Sequence, residues 1–82
     1  MGEVQWEPVA LDEATGFLKD DPHAVDALLK ATDQLAENPR PEGSRAWGVD
    51  RRRLRHGPWR VVYRMDPEAR ILHIEHIGRA LE

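Results

Sequence analysis

Apolar residues alternate with polar ones at both ends of this chain and recur at helical spacing between them, so the pattern reads as strand, helix, helix and several strands. Val4, Trp6 and Pro8 alternate with polar neighbours over Glu3–Val9. This predicts a first strand with Pro8 at its end or on an edge, because proline cannot donate to a ladder. Asp12 is placed to cap a helix carrying Ala14, Phe17 and Leu18, and Asp20-Asp21-Pro22 breaks it. Asp21 in turn caps a longer helix with Pro22 in its first position and Val25, Leu28, Leu29, Thr32, Leu35 and Ala36 as its apolar stripe. Asn38-Pro39 stops that helix. Two helices so close in sequence form an antiparallel hairpin, which can bury its apolar face only against a sheet.

After the Pro- and Gly-containing loop from Arg40 to Ser44 the period changes to two. Arg45–Val49 and Asp50–His56 are short strands or one bent strand, Trp59–Met65 is the clearest strand, and Ile71–Ile77 is the last. Asp66-Pro67-Glu68 supplies the turn between the last two, with proline where its fixed dihedral is useful. Trp59, Val61, Tyr63 and Met65 share the face that should cover the helices. Strict alternation puts His73 and His76 on opposite faces, one half-buried and one solvated. The predicted fold is α+β, with the order β-α-α-β-β-β(β) and the helical hairpin on one face of a small antiparallel sheet.

On the opposite face the chemistry is cationic. Arg51, Arg53 and Arg55 project together from one strand, and Arg60, Val62 and Arg64 from the next, across the turn His56-Gly57-Pro58. If the register places both rows on the same face, five guanidinium groups converge on one surface suited to phosphate. The formal net charge of −3 conceals this, because residues 1–39 hold two lysines against nine acids whereas residues 40–82 hold ten arginines against six acids. A local field of that sign attracts polyanions even though the whole chain is acidic. The plainer reading is that the arginines keep an outer face soluble and its edges unpaired.

The remaining composition narrows the classes. Eighty-two residues suit one small domain, residues 1–82, and without cysteine there is neither a disulfide framework nor a thiolate metal site. No metal or nucleotide motif is present, and no cofactor is expected. The sequence has no apolar run of membrane-spanning length and no signal-peptide pattern, so the expected location is the cytoplasm, without membrane contact.

The order β-α-α-β-β-β, the stretch RRRLRHGPWRVVYRMD and a last strand ending in HIG resemble the RelE/ParE superfamily of toxins from bacterial type II toxin–antitoxin systems. The resemblance covers nearly the whole chain. It implies a RelE-like toxin that cleaves messenger RNA on the ribosome, is neutralised by a cognate antitoxin, and cuts by attack of a ribose 2′-hydroxyl on the adjacent phosphate. By position in the motif, Arg51 and Arg53 resemble the basic pair of the ribonuclease branch and Arg60 its phosphate-contacting arginine. Arg45, Arg55 and Arg64 are then assigned to RNA phosphate binding. Rigid guanidinium donors suit this task because charge grows on the phosphoryl oxygens in the transition state.

Arginine moves protons poorly, so another group is needed. The family usually ends in an arginine closely followed by a tyrosine, whereas here Ala80 stands where that arginine would fall, and no tyrosine follows. Arg79, one position away, and His76, two residues before Gly78, are the replacements for catalysis. Glu75 is expected to pair with an arginine across the sheet, Tyr63 to lie in the core, and Trp47 and Trp59 either to stack on bases or to pack. Two other readings stay open: a ParE-like inhibitor of DNA gyrase, which needs no catalytic acid, and an inactive fold that still binds antitoxin.

Overall fold

The computed structural model describes residues 3–66, 68 and 70–80. It contains β1 (Glu3–Trp6), α1 (Pro8–Asp20), α2 (Pro22–Leu35), β2 (Ser44–Ala46), β3 (Arg51–His56), β4 (Trp59–Asp66) and β5 (Ile71–Arg79). The five strands form one sheet in the order β1-β5-β4-β3-β2. The pairs β2–β3, β3–β4 and β4–β5 are antiparallel, while β1 adds to β5 in parallel and makes the sheet mixed. Both helices cover one face of the sheet, as α+β patterning requires.

Pro8 opens α1 rather than closing β1, and Glu7 is the N-cap. Its missing N–H is one that a first helical turn leaves unpaired anyway, and its fixed φ suits that position. Because α1 starts a turn earlier than Asp12, its packed residues are Ala10, which is buried, and Phe17, while Leu18 is exposed. Asp21 caps α2 as expected, its side chain accepting from the Ala24 N–H at 3.2 Å. The buried stripe of α2 is Val25, Leu28, Ala31, Thr32 and Leu35, with Leu29 turned to solvent. Thr32 is tolerated there because its hydroxyl donates to the Leu29 carbonyl at 2.9 Å.

Facing these helices are Leu54, Trp59, Val61, Tyr63, Leu72, Ile74 and Ile77 from three neighbouring strands. Trp59 packs edge-to-face on Phe17 with ring centroids 5.1 Å apart, and its indole N–H donates to the Ala24 carbonyl at 3.1 Å. One polar group and one ring thus lock β4 to both helices. Tyr63 is equally buried. Its hydroxyl lies 2.6 Å from the Pro39 carbonyl, to which it donates, and 2.7 Å from Ser44 Oγ, which ties the helix-to-strand loop to the core. In the turn between β4 and β5, the Glu68 N–H donates to Asp66 Oδ1 at 3.2 Å, and Pro67, expected to shape this turn, lies outside the described residues.

Candidate functional site

Register decides whether the arginines meet. Arg51 pairs with Arg64, Arg53 with Val62 and Arg55 with Arg60 between β3 and β4, and Arg45 on β2 pairs with Arg53. Directly paired residues in an antiparallel ladder share a face, so Arg45, Arg51, Arg53, Arg55, Arg60 and Arg64 all stand on the face away from the helices. Arg52 points to the opposite side, where its guanidinium donates to Ser44 Oγ at 2.7 Å and to the Ser44 carbonyl at 3.1 Å.

The six guanidinium groups are not equivalent. Arg51 Nε donates to Glu75 Oε1 at 2.5 Å, and Arg64 Nε lies 3.5 Å from Glu75 Oε2. Arg51 also comes within 3.6 Å of Asp50 Oδ1. Burial would push the Glu75 carboxyl up, but the hydrogen bond and charge of Arg51, followed by those of Arg64, hold it below the usual carboxylate range. The same hydrogen bond raises the affinity of Arg51 for its proton. No carboxylate pairs with Arg45, Arg53, Arg55 or Arg60 among the described residues. Arg60 instead folds back on the turn before it, donating to the carbonyls of Gly57 and Trp59, each at 2.8 Å. The platform therefore has a neutralised end at the Arg51–Arg64 pair and an uncompensated end toward the β3–β4 turn, where Arg55 pairs with Arg60.

The histidines correct the alternation. Tyr63 pairs with Ile74 but Val62 with His76, so β5 carries one extra residue, Glu75, opposite that step. Past this bulge the parity reverses, and His76 joins His73 on the arginine face, since they pair with Val62 and Arg64. His73 is half-buried, with Nδ1 3.2 Å from Glu7 Oε1, although the angle there does not make a hydrogen bond. His76 is exposed. Its Nδ1 lies 3.5 Å from Glu13 Oε1, and the same oxygen accepts the Ile77 N–H at 3.0 Å. Sequence reasoning missed both glutamates, because α1 brings them to the sheet edge from the far end of the chain. A signal for the bulge did exist: the buried apolar residues Leu72, Ile74 and Ile77 change parity between the second and third.

Arg79 is not part of the platform. It pairs with Trp59, a core-facing residue, and its guanidinium sits over the rings of Phe17 at 5.3 Å and Trp59 at 5.8 Å. That position, on the helix side of the sheet, caps the aromatic pair by cation–π contact. The reversal of parity at Glu75 is what sends it there. Ala80 extends the strand by donating to the Pro58 carbonyl at 2.7 Å. Leu81 and Glu82 lie outside the described residues.

Two clefts open on the arginine face. One is lined by Glu7, Val9, Trp47, Arg51, Val62, Glu75 and His76, and so brings a histidine, two acids and an arginine together. The other is lined by Gly43, Arg45, Ala46, Trp47, Arg53, Arg55 and Arg60. The first holds groups that carry protons, and the second holds fixed positive charge suited to phosphate. Among the described residues no group of three or more His, Cys, Asp or Glu side chains could hold a metal ion, and no helix is long and apolar enough to cross a membrane.

Comparison with known proteins places this architecture. Residues 4–82 match the family model of the ParE toxin of type II toxin-antitoxin system, parDE. No curated protein matches the sequence. Among solved structures, the toxin–antitoxin complex RelBE2 from Mycobacterium tuberculosis matches with a TM-score of 0.81 at 18% identity, covering 95% of this chain and 96% of that one. The isolated RelE toxin of E. coli matches with a TM-score of 0.81 at 21% identity, covering 100% of this chain and 87% of that one. The RelE–RelB complex from Pyrococcus horikoshii OT3 matches with a TM-score of 0.77 at 16% identity, covering 95% and 93%. At these identities the structures speak for the fold, two helices on a five-stranded mixed sheet, and the sequence family speaks for kinship. The chain belongs to the ParE toxin family of type II toxin–antitoxin systems, within the RelE/ParE superfamily.

Proposed function

We propose that this toxin is a RelE-like endoribonuclease that cuts messenger RNA on the ribosome, in the cytoplasm, and is held inactive by a cognate antitoxin. The observation that carries this reading is the convergence of six arginines on one sheet face beside an exposed histidine. Arg53, Arg55 and Arg60 would hold the scissile phosphate, where their donors stabilise the charge that grows as the 2′-hydroxyl attacks phosphorus. Arg51, anchored by Glu75, would fix the strand at the edge of the proton-carrying cleft. Arg45 and Arg64 would extend the contact to neighbouring phosphates. His76 would take the 2′-hydroxyl proton or deliver one to the leaving 5′-oxygen. Arg79, engaged with Phe17 and Trp59, is assigned to packing and not to chemistry. An antitoxin partner is supported by the relatives, several of which are toxin–antitoxin complexes.

A second reading is favoured by the family match itself, which is to the ParE toxin. Inhibition of DNA gyrase requires binding and no proton transfer, and would suit a chain with Ala80 where the family's arginine falls. Induction of the toxin followed by primer extension on translated messages separates the two. Breaks within codons, relieved by co-expressing a cognate antitoxin, are the expected result. Intact transcripts with gyrase-dependent DNA damage would overturn the ribonuclease reading and establish the second.

A further inference from the structure

Trp47 is the one large aromatic side chain exposed among the described residues, at 50% of its surface, and it stands on the arginine face. Its backbone N–H donates to the Arg51 carbonyl at 2.8 Å, closing a tight connection between β2 and β3 that holds the indole in place. The Arg53 guanidinium covers the ring, 4.6 Å from its centroid. Trp47 also lines both clefts, so it forms the ridge between the proton-carrying residues and the uncompensated arginines. Tryptophan is enriched at contact surfaces because its ring offers a broad apolar face together with a polar N–H.

We propose that Trp47 is a stacking platform for one base of a single-stranded nucleic acid, with Arg45, Arg55 and Arg60 binding the phosphate next to that base. A π-face beside fixed positive charge is the arrangement that single strands require, since every base can stack and every linkage is anionic. In the free protein Arg53 occupies the place of the base. Binding exchanges a guanidinium–indole contact for a base–indole contact and frees the Arg53 guanidinium to join Arg55 and Arg60 at the phosphate, so the ring and the arginine act as one device. An acidic peptide could pair with the arginines but would leave the indole without a planar partner. The inference shares with the proposed function the view that the ligand is a nucleic acid, but it does not require that the chain cut it.

The test is a fluorescence-anisotropy titration of the full chain with a labelled RNA hexamer carrying 2′-O-methyl groups throughout, which cannot be cleaved by 2′-hydroxyl attack. Trp47→Ala should weaken binding by roughly 5- to 150-fold, the range for loss of one base–aromatic stack, and Trp47→Phe should recover most of it. An abasic strand with the same number of phosphates should bind the wild type and Trp47→Ala equally well. Circular dichroism establishes that the variants are folded. Equal hexamer affinity for wild type and Trp47→Ala, or an equal loss with the abasic strand, would overturn the inference. Trp47-dependent binding without cleavage of unmodified, translated RNA would uphold this inference while removing the ribonuclease reading. Cleavage with Trp47-independent binding would do the reverse.

Discussion

Arg51 on β3 and Glu75 on β5 are joined across the intervening β4, their side chains meeting over the sheet face at 2.5 Å. Glu75 reaches there because it is the extra residue of a bulge, and once there it also approaches Arg64. A carboxyl held below its ordinary value in the folded state contributes stability above its unfolded value and loses it as pH falls through the folded one. Glu75→Gln should therefore destabilise the protein at pH 7, and the difference from wild type should shrink as pH falls below about 4.3, the ordinary value for glutamate. Urea melts at neutral and acid pH measure this. The same variant should bind RNA more tightly with a steeper salt dependence, by roughly 0.7 in log–log slope for each arginine released to a phosphate.

Much of this arrangement was legible in the sequence. The arginine face follows from strict alternation over Arg51–Arg55 and Arg60–Arg64 combined with a short turn, and the Asp21 cap and Pro22 position follow from local rules. What was not legible depends on contacts between distant parts of the chain. The bulge at Glu75 is stabilised by arginines on other strands, and it alone moves His76 onto the arginine face and Arg79 off it. Pro8 is ambiguous by nature, since both a strand end and a helix start tolerate it. Leu29 extends the apolar spacing of α2 but sits outside the arc that the sheet covers.

Arg60→Ala separates activity from stability. Under the ribonuclease reading, loss of one preorganised donor lowers the rate by ~10²–10³. Arg60 also satisfies the carbonyls of Gly57 and Trp59, so its removal should cost about 1 kcal/mol of stability, more than a freely solvated side chain would. Arg60→Lys should restore part of the activity, because ammonium keeps the charge without the two-pronged geometry. Arg52→Ala should do the opposite: its bonds to Ser44 hold β2 to β3, and their loss costs roughly 1–3 kcal/mol while cleavage by the folded fraction persists. Chemical denaturation and primer extension on the same variants give both readings. Equal loss of activity in folded Arg52→Ala would make the face assignment untenable.

Gly43 bounds the phosphate cleft from below. Its φ of +94° is a conformation that other residues rarely adopt, and a Cβ there would lie 2.8 Å from the Arg55 carbonyl oxygen. Its own carbonyl accepts the Arg55 N–H at 2.9 Å, so the backbone cannot retreat without breaking that bond. Gly43→Ala should cost about 1–3 kcal/mol. Gly57, at φ +55° with open space where a Cβ would stand, lies in the region asparagine tolerates, and Gly57→Asn should be close to neutral. Melting temperatures of the two variants side by side test whether the close approach to Arg55, and not positive φ alone, makes position 43 intolerant.

Glu13 has two tasks that substitution can separate. β1 ends at Trp6, so among the described residues no strand lies beside the edge of β5 beyond Ile74, and the Glu13 carboxylate takes the Ile77 N–H in its place. The same oxygen faces His76 Nδ1 at 3.5 Å. Glu13→Ala leaves a partly buried N–H without its acceptor and should lower stability by roughly 1–3 kcal/mol, the usual cost of orphaning such a group. Glu13→Gln keeps an acceptor oxygen for Ile77 but removes the negative charge beside the histidine, so stability should largely survive. Amide hydrogen exchange at Ile77 reads the first task directly: protection should fall in the alanine variant and persist in the glutamine one. If the glutamine variant keeps that protection yet loses RNA cleavage, the charge beside His76 serves the chemistry. If it cleaves like wild type, Glu13 serves only to close the sheet edge.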